Sequence, residues 1–262
     1  MRIQLLGPVG ISTGRTAVRL LRSAKSRHLL ALLAWQPNAY LSDEQAIEEM
    51  WREGPPDHPR DALYTHASRL RRVLPRGPAT EAPDGGCTLV RQDGGYILAV
   101  APDAVDLHRF GRLVDAARAA CGAARREEAF RLLEEALATA SGTPLADLRS
   151  PWAERARRSV ELKVLSARLS HARLALELGR HTETVPVLHQ LALDHPLDEG
   201  IAETLMRALY LSGRQAEALA CFRTIRDALV DQLGHEPGRP LQSLHEHVLR
   251  HDPALGGPAP RD

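Results

Sequence analysis

The chain has 262 residues, a formal net charge of +1, 44% hydrophobic and 26% charged residues. This permits two domains of ordinary size and excludes a disordered or fibrous chain. Aromatic residues make up only 4%, while alanine, leucine and arginine are abundant, which favours helices over a β-sandwich. Three cysteines without paired spacing exclude a disulfide framework and a zinc ribbon. The longest apolar stretch, Leu29 to Trp35, is too short to cross a bilayer, and no signal-peptide core precedes it. The expected compartment is the cytoplasm.

The charge is unevenly spread. Residues 1–100 hold 13 Lys/Arg against 10 Asp/Glu, and the remainder 21 against 23. Six cations precede the first acid, Asp43, and five arginines with one acid, Asp61, lie between Arg60 and Arg76. Two concentrated cationic segments suit a polyanion partner, although a charge run is also the ordinary pattern of a solvated face.

In chain order, Ile3 to Ile11 reads as a strand closed by a turn, with Ala17 to Leu21 as its short neighbour. An apolar helix follows from Lys25 to Trp35 and halts near Pro37. Ser42 followed by Gln45 forms a capping box that opens a helix running to Trp51. After the Gly54-Pro55-Pro56-Asp57 turn, a third helix runs from Pro59 to Leu74, ended by Pro75-Arg76-Gly77-Pro78. A Gly- and Pro-rich loop leads to a hairpin, Thr88 to Arg91 and Tyr96 to Val100, around Asp93-Gly94-Gly95. Three helices with a small sheet before and a hairpin after them describe a winged helix-turn-helix.

From Val105 onward the period is helical. Leu107, Phe110, Leu113 and Val114 form one stripe; Phe130, Leu133 and Leu137 form the next. A break at Gly142-Thr143-Pro144 precedes a long helix from Ala153 to Leu178. Leu178-Gly179-Arg180 is echoed 34 residues later by Ser212-Gly213-Arg214, with Val185 matching Leu219 and Leu188 matching Phe222. That is the period of tetratricopeptide-type helix pairs, with Gly122 to Leu137 as a candidate third copy. The fold class is therefore mainly α with a small β part: an N-terminal winged helix, then an all-α tetratricopeptide-like domain. The boundary falls near Ala101 to Val105.

On the third helix, Leu63, Ala67, Leu70 and Leu74 make the buried stripe, leaving Tyr64, Thr65, Ser68, Arg69, Arg71 and Arg72 on the flanks and outer face. Such a helix fits a DNA major groove, where arginine pairs bidentately with guanine and other polar side chains hold phosphates. Arg91, beside the hairpin tip, is a candidate for an adjacent minor groove, the alternative being an exposed turn arginine. Trp51 is either a phosphate donor through its indole N–H or hinge packing.

The order of Leu5-Leu6-Gly7-Pro8, Met50-Trp51, Pro55-Pro56, Ser68-Arg69-Leu70-Arg71-Arg72, Val105-Asp106-Leu107-His108-Arg109-Phe110, His195-Pro196-Leu197 and Ser212-Gly213-Arg214-Gln215-Ala216-Glu217-Ala218-Leu219 resembles the Streptomyces antibiotic regulatory protein family. The resemblance implies an OmpR-type winged helix over residues 1–101 and a bacterial transcriptional activation domain over 105–252; a flexible tail is expected over 253–262. The resemblance also implies an activator of a biosynthetic gene cluster that binds tandem direct repeats in double-stranded promoter DNA, a homodimer on DNA, and contact with RNA polymerase holoenzyme including its sigma factor. By the same resemblance Thr65 and Arg69 face bases. His66, Ser68, Arg71 and Arg72 lie near phosphates, Arg91 is the wing arginine and Trp51 contacts the backbone. Asp61, Tyr64, His66 and the Gln92-Asp93-Gly94-Gly95 wing depart from the family pattern.

No phosphate-binding Gly-rich loop, nucleophile elbow or His-Glu-x-x-His motif occurs, so no enzyme, cofactor or metal is expected. His245, His247 and His251 cluster, the last two at i, i+4 spacing on an expected helix, without a completing cysteine or carboxylate. Cys87, Cys121 and Cys221 are read in a loop, at a helix end and within a helix, the last two as packing residues. Two rival functions stay open: an adaptor built on helical repeats that does not bind DNA, and a repressor with the same DNA-binding mode.

Overall fold

A computed structural model describes residues 1–12, 19–52, 54–74, 86–140, 142–252 and 255–256. The expected helix stop at Pro75–Pro78, the loop after it and most of the expected tail lie outside the described residues. The described chain is mainly helical with a small β part, as the periodicities predict, and divides into two compact units, 1–116 with 134–165, and 117–133 with 166–262.

The first unit opens with β1 (Arg2–Gln4), β2 (Gly10–Ser12) and β3 (Arg19–Leu20), paired antiparallel in that order. The single strand expected over Ile3 to Ile11 is thus a hairpin, Ile3 opposite Ile11, with Leu5 to Val9 as its connection. That connection turns inward because two carboxylates receive its backbone. Asp106 accepts from the N–H groups of Leu5 (2.7 Å) and Leu6 (3.1 Å), and Asp147 from that of Val9 (2.8 Å). Arg27 pairs with the same Asp147.

Helix α1 (Ala24–Trp35), capped by Ser23, is buried nearly all round, from His28 to Ala34. Its Leu29–Ala34 stretch is apolar on every face because α2 (Asp43–Trp51), α3 (Pro59–Val73) and strand β6 (Gly95–Val100) all pack on the helix. The capping box predicted at Ser42 and Gln45 is present. Ahead of it lies β4 (Tyr40–Ser42), which the sequence reading missed; it forms the edge of a second sheet ordered β4-β6-β5, with β5 at Cys87–Gln92. Cys87 is therefore the buried first residue of a strand and not a loop cysteine, and burial pushes its thiol up to about 12. The wing turn needs its glycines: Gly94 has φ +70°, and a Cβ on Gly95 would stand 2.4 Å from the Leu41 carbonyl oxygen.

The same unit includes the first part of α4 (Asp106–Gly122), the end of α5 (Arg126–Thr139) and the first half of α6 (Pro151–Glu177). Trp152 lies 5.5 Å from the His28 ring and 5.7 Å from that of Trp35, centroid to centroid. Arg157 gathers the carbonyls of Pro144, Leu145 and Leu148, each at 2.9 Å. The α6 N-cap Ser150 reaches His28 at 3.3 Å.

The second unit stacks α7 (His181–Asp194), α8 (Glu199–Leu211), α9 (Gln215–Leu233) and α10 (Arg239–Leu249) around Leu188, Ile201, Leu205, Met206, Phe222 and Val248. The repeated Gly-Arg has a structural meaning. Gly179 (φ +78°) and Gly213 (φ +75°) close helices in the left-handed region. The following Arg180 and Arg214 N–H groups bond to carbonyls five residues back, at 2.8 Å each. Ala124 (φ +58°) with Arg125 and His251 (φ +53°) with Asp252 repeat the turn, the N–H bonds being 2.9 and 3.0 Å. The candidate third copy thus begins with the same closing turn as the other two. Leu188 and Phe222 are buried at matching positions, whereas Leu219 is half-buried and Ala218 takes the core place. His251 lies beyond the end of α10, so His247 and His251 do not share a helix face as expected. Among the described residues no helix is long and apolar enough to cross a membrane, and no group of three His, Cys, Asp or Glu could hold a metal ion.

Candidate nucleic-acid interface

Helix α3 begins with Pro59 at its first position and carries Arg71 and Arg72 in its last turn, both favourable placements for the helix dipole. Leu63, Ala67 and Leu70 are fully buried, with Leu74 just past the helix, as the wheel predicts. With that stripe inward, the remaining side chains divide into three directions.

Toward solvent, Thr65 and Arg72 are exposed and Ser68 is half-buried. The Thr65 hydroxyl is parked on the Asp61 carbonyl at 3.0 Å. Toward α1, the His66 ring nitrogen Nδ1 meets the Ser26 hydroxyl at 3.0 Å, and the Trp51 ring stacks obliquely 6.0 Å from His66. Burial first, then the charges of Arg69 and Lys25, hold the His66 imidazole below its usual range, so it is neutral near pH 7. Lys25 donates to the Met50 carbonyl and lies 5.3 Å above the Trp51 ring. Trp51 and His66 are thereby hinge-packing residues in this arrangement as well as candidate backbone contacts.

Toward the wing, Arg71 donates from Nε to the Leu89 carbonyl (3.2 Å) and lies 5.6 Å from the Tyr96 ring. Tyr64 accepts from Arg91 at 3.0 Å. Arg91, expected beside the hairpin tip, is there, opposite Tyr96 in the ladder, but its guanidinium is committed to Asp43. The nine sequence-derived residues therefore surround one helix while facing three ways.

Between the start of α1 and the second half of α3 lies an open groove of about 730 Å³ lined by Arg22, Ser23, Ser26, Arg69 and Arg72 with Leu21 and Val73. Arg69 faces this groove, so it bridges the outward and α1-facing sets. Arg22 is the residue that sequence reasoning missed; the signal was present in the acid-free stretch before Asp43. Asp43 was missed too, because an acid in a first helical turn reads as ordinary dipole complementarity.

A helix-turn-helix with a β wing, followed in the chain by stacked helix pairs, defines the class as a winged-helix protein carrying a helical-repeat region. Residues 105–249 match the bacterial transcriptional activator domain family. The chain is 38% identical to the regulatory protein AfsR of Streptomyces coelicolor over 97% of its own length, but it spans only 25% of AfsR. It is 35% identical to the transcriptional regulator RedD of the same organism, over 99% of this chain and 73% of RedD. A solved structure of Mycobacterium tuberculosis EmbR, in complex with a low-affinity phosphopeptide, is similar to it with a TM-score of 0.84, 31% identity and coverage of 96% of this chain and 65% of that one. The chain belongs to the Streptomyces antibiotic regulatory protein family.

Proposed function

We propose that this chain is a sequence-specific transcriptional activator of a biosynthetic gene cluster, acting in the cytoplasm. The observation that carries the reading is the cationic groove of Arg22, Arg69 and Arg72 beside the outward face of a buried-stripe helix bearing Thr65 and Ser68. Guanidinium forks recognise phosphate oxygens and guanine edges, and the hydroxyls add short-range register. Arg69 and Thr65 are the base-reading candidates, and Arg22, Arg72 and Ser68 the phosphate-holding ones. Protomers bind tandem direct repeats head to tail, with half-sites about 10–11 bp apart so that each helix meets the same duplex face.

The helical unit would contact RNA polymerase holoenzyme and its sigma factor. Support comes from the half-open groove of about 350 Å³ among α7, α8 and α9, lined by Leu193, Ala202, Leu205, Leu209 and Ile225, with Leu193 64% exposed at its edge. Apolar grooves of this kind on stacked helix pairs receive partner segments.

Footprinting on promoter regions of a biosynthetic gene cluster, with and without polymerase, tests the proposal. The expected result is protection of two in-phase repeats, extended when polymerase is added, and transcription that rises with protein. Protection with falling transcription would identify a repressor. Absence of any salt-sensitive shift on promoter DNA would favour the adaptor reading.

A further inference from the structure

A polar assembly next to α3 lies at the base of the wing, away from the helix's outward face. Asp43, the first residue of α2, has a side chain only 3% exposed and receives both prongs of Arg91, Nη1 to Oδ1 at 2.6 Å and Nη2 to Oδ2 at 2.7 Å. The same Nη2 donates to the Tyr64 hydroxyl at 3.0 Å. The guanidinium carbon lies 4.8 Å from the Tyr64 ring centroid and 4.6 Å from that of Tyr96. Backbone bonds reinforce the assembly: Asp43 N–H donates to the Gly94 carbonyl at 2.7 Å, and the Tyr40 hydroxyl to the Asp93 carbonyl at 2.7 Å. One carboxylate thus joins the start of α2, the wing strand β5 and helix α3.

An arginine held this way is not an idle wing charge. Both N–H groups of Nη2 and one of Nη1 are engaged, and two aromatic faces hold the plane. If Arg91 swung away to a groove, it would leave a buried carboxylate without its cation, a strongly unfavourable exchange. Asp43 stands in the first turn of α2, where the helix dipole favours a negative side chain.

We propose that Asp43 is a positioning residue for DNA recognition, using Arg91 as an internal brace that locks the wing to the recognition helix through Tyr64. The brace sets the spacing between the two parts that meet the duplex, so losing it weakens recognition without removing a phosphate contact. The inference rests on the DNA-binding reading above, and its test separates the two.

Using the full chain and a promoter fragment protected by the wild type, dissociation constants are measured against salt for Asp43→Ala, Arg91→Ala, the double variant and Arg91→Lys. Each single variant is expected to weaken promoter binding about tenfold, within the range for lost recognition contacts. The double variant should be no weaker than either single one, because the two side chains act as a pair. The salt slope should stay at the wild-type value throughout, and Arg91→Lys should behave like Arg91→Ala, since lysine lacks the fork. Thermal melting accompanies each variant, and Asp43→Asn, which keeps the volume and one acceptor, replaces Asp43→Ala if the latter unfolds. The brace is overturned if removing Asp43 leaves binding unchanged or tighter while Arg91→Ala alone lowers the salt slope by about one. A wild type that ignores promoter DNA sinks the underlying reading instead, and the brace with it.

Discussion

Ala124→Gly isolates the backbone cost of a single residue. Ala124 closes α4 with φ +58°, the role that Gly179 and Gly213 fill at +78° and +75°. An L-residue in the left-handed region costs about 1–2 kcal/mol. Glycine loses about 0.5–1 kcal/mol of extra chain entropy on folding. The side chain of Ala124 is exposed, so removing its methyl sacrifices no buried area. The net expectation is a gain of about 0.5–1 kcal/mol, a rise of roughly 2 °C in the melting temperature of a domain this size. The reciprocal change, Gly213→Ala, should lose about 1 kcal/mol for conformational reasons alone, because a Cβ built there meets nothing within 4 Å. Urea unfolding of both variants, compared at constant m value, measures the pair. A stability loss in Ala124→Gly, or an unchanged Gly213→Ala, would refute the claim that left-handed strain governs these turns.

Asp106→Ala leaves three N–H groups, those of Leu5, Leu6 and Leu107, without their acceptor and should destabilise the first unit by about 2–4 kcal/mol in chemical unfolding. Two buried groups give that unit opposing pH dependences. Burial holds the His28 imidazole down at about 4 against 6.5 in the unfolded chain, so stability falls as pH drops from 6.5 toward 4. Burial, opposed by the three N–H donors, raises the Asp106 carboxyl from 3.8 to about 6; the folded chain then holds the proton more tightly, and stability rises as pH drops from 6 toward 4. Melting against pH should therefore show a steeper acid loss in Asp106→Asn and a shallower one in His28→Gln. Arg72→Ala should weaken promoter and random duplex alike and lower the salt slope by about one, whereas Arg69→Ala should cost roughly 1–3 kcal/mol on promoter DNA and relax base preference. Gel shifts on both duplexes across a salt series distinguish the two.

Local pattern was enough for most of the elements. The capping box at Ser42 and Gln45, Pro59 at the head of α3, the Asp93-Gly94 turn and the 34-residue echo each encode their structure within a few residues. The inward stripe of α3 was equally legible, since Leu63, Ala67 and Leu70 obey a period that any helix must have. Where period says little, reading failed: β4 is three residues long and joins its sheet only through pairing with β6, more than fifty residues away in the chain. The hairpin of β1 and β2 looked continuous because its connection is apolar: Leu5, Leu6 and Val9 bury their side chains in the core while Asp106 and Asp147 take up their backbone N–H groups.

The sequence by itself determined that a cationic helix with one apolar face follows a capped helix and precedes a wing, and it determined the family. Only the folded chain decided where the polar side chains of that helix point: Arg71 to the Leu89 carbonyl, His66 to Ser26, Arg69 to a groove shared with Arg22. Asp43 and Arg91 are 48 residues apart, and Leu5 and Asp106 are 101. Helical and strand periods constrain neighbours within a turn or two, whereas partners at such separations are chosen by packing, which excludes water and leaves each buried charge or N–H the acceptor or donor that the tertiary fold brings to it.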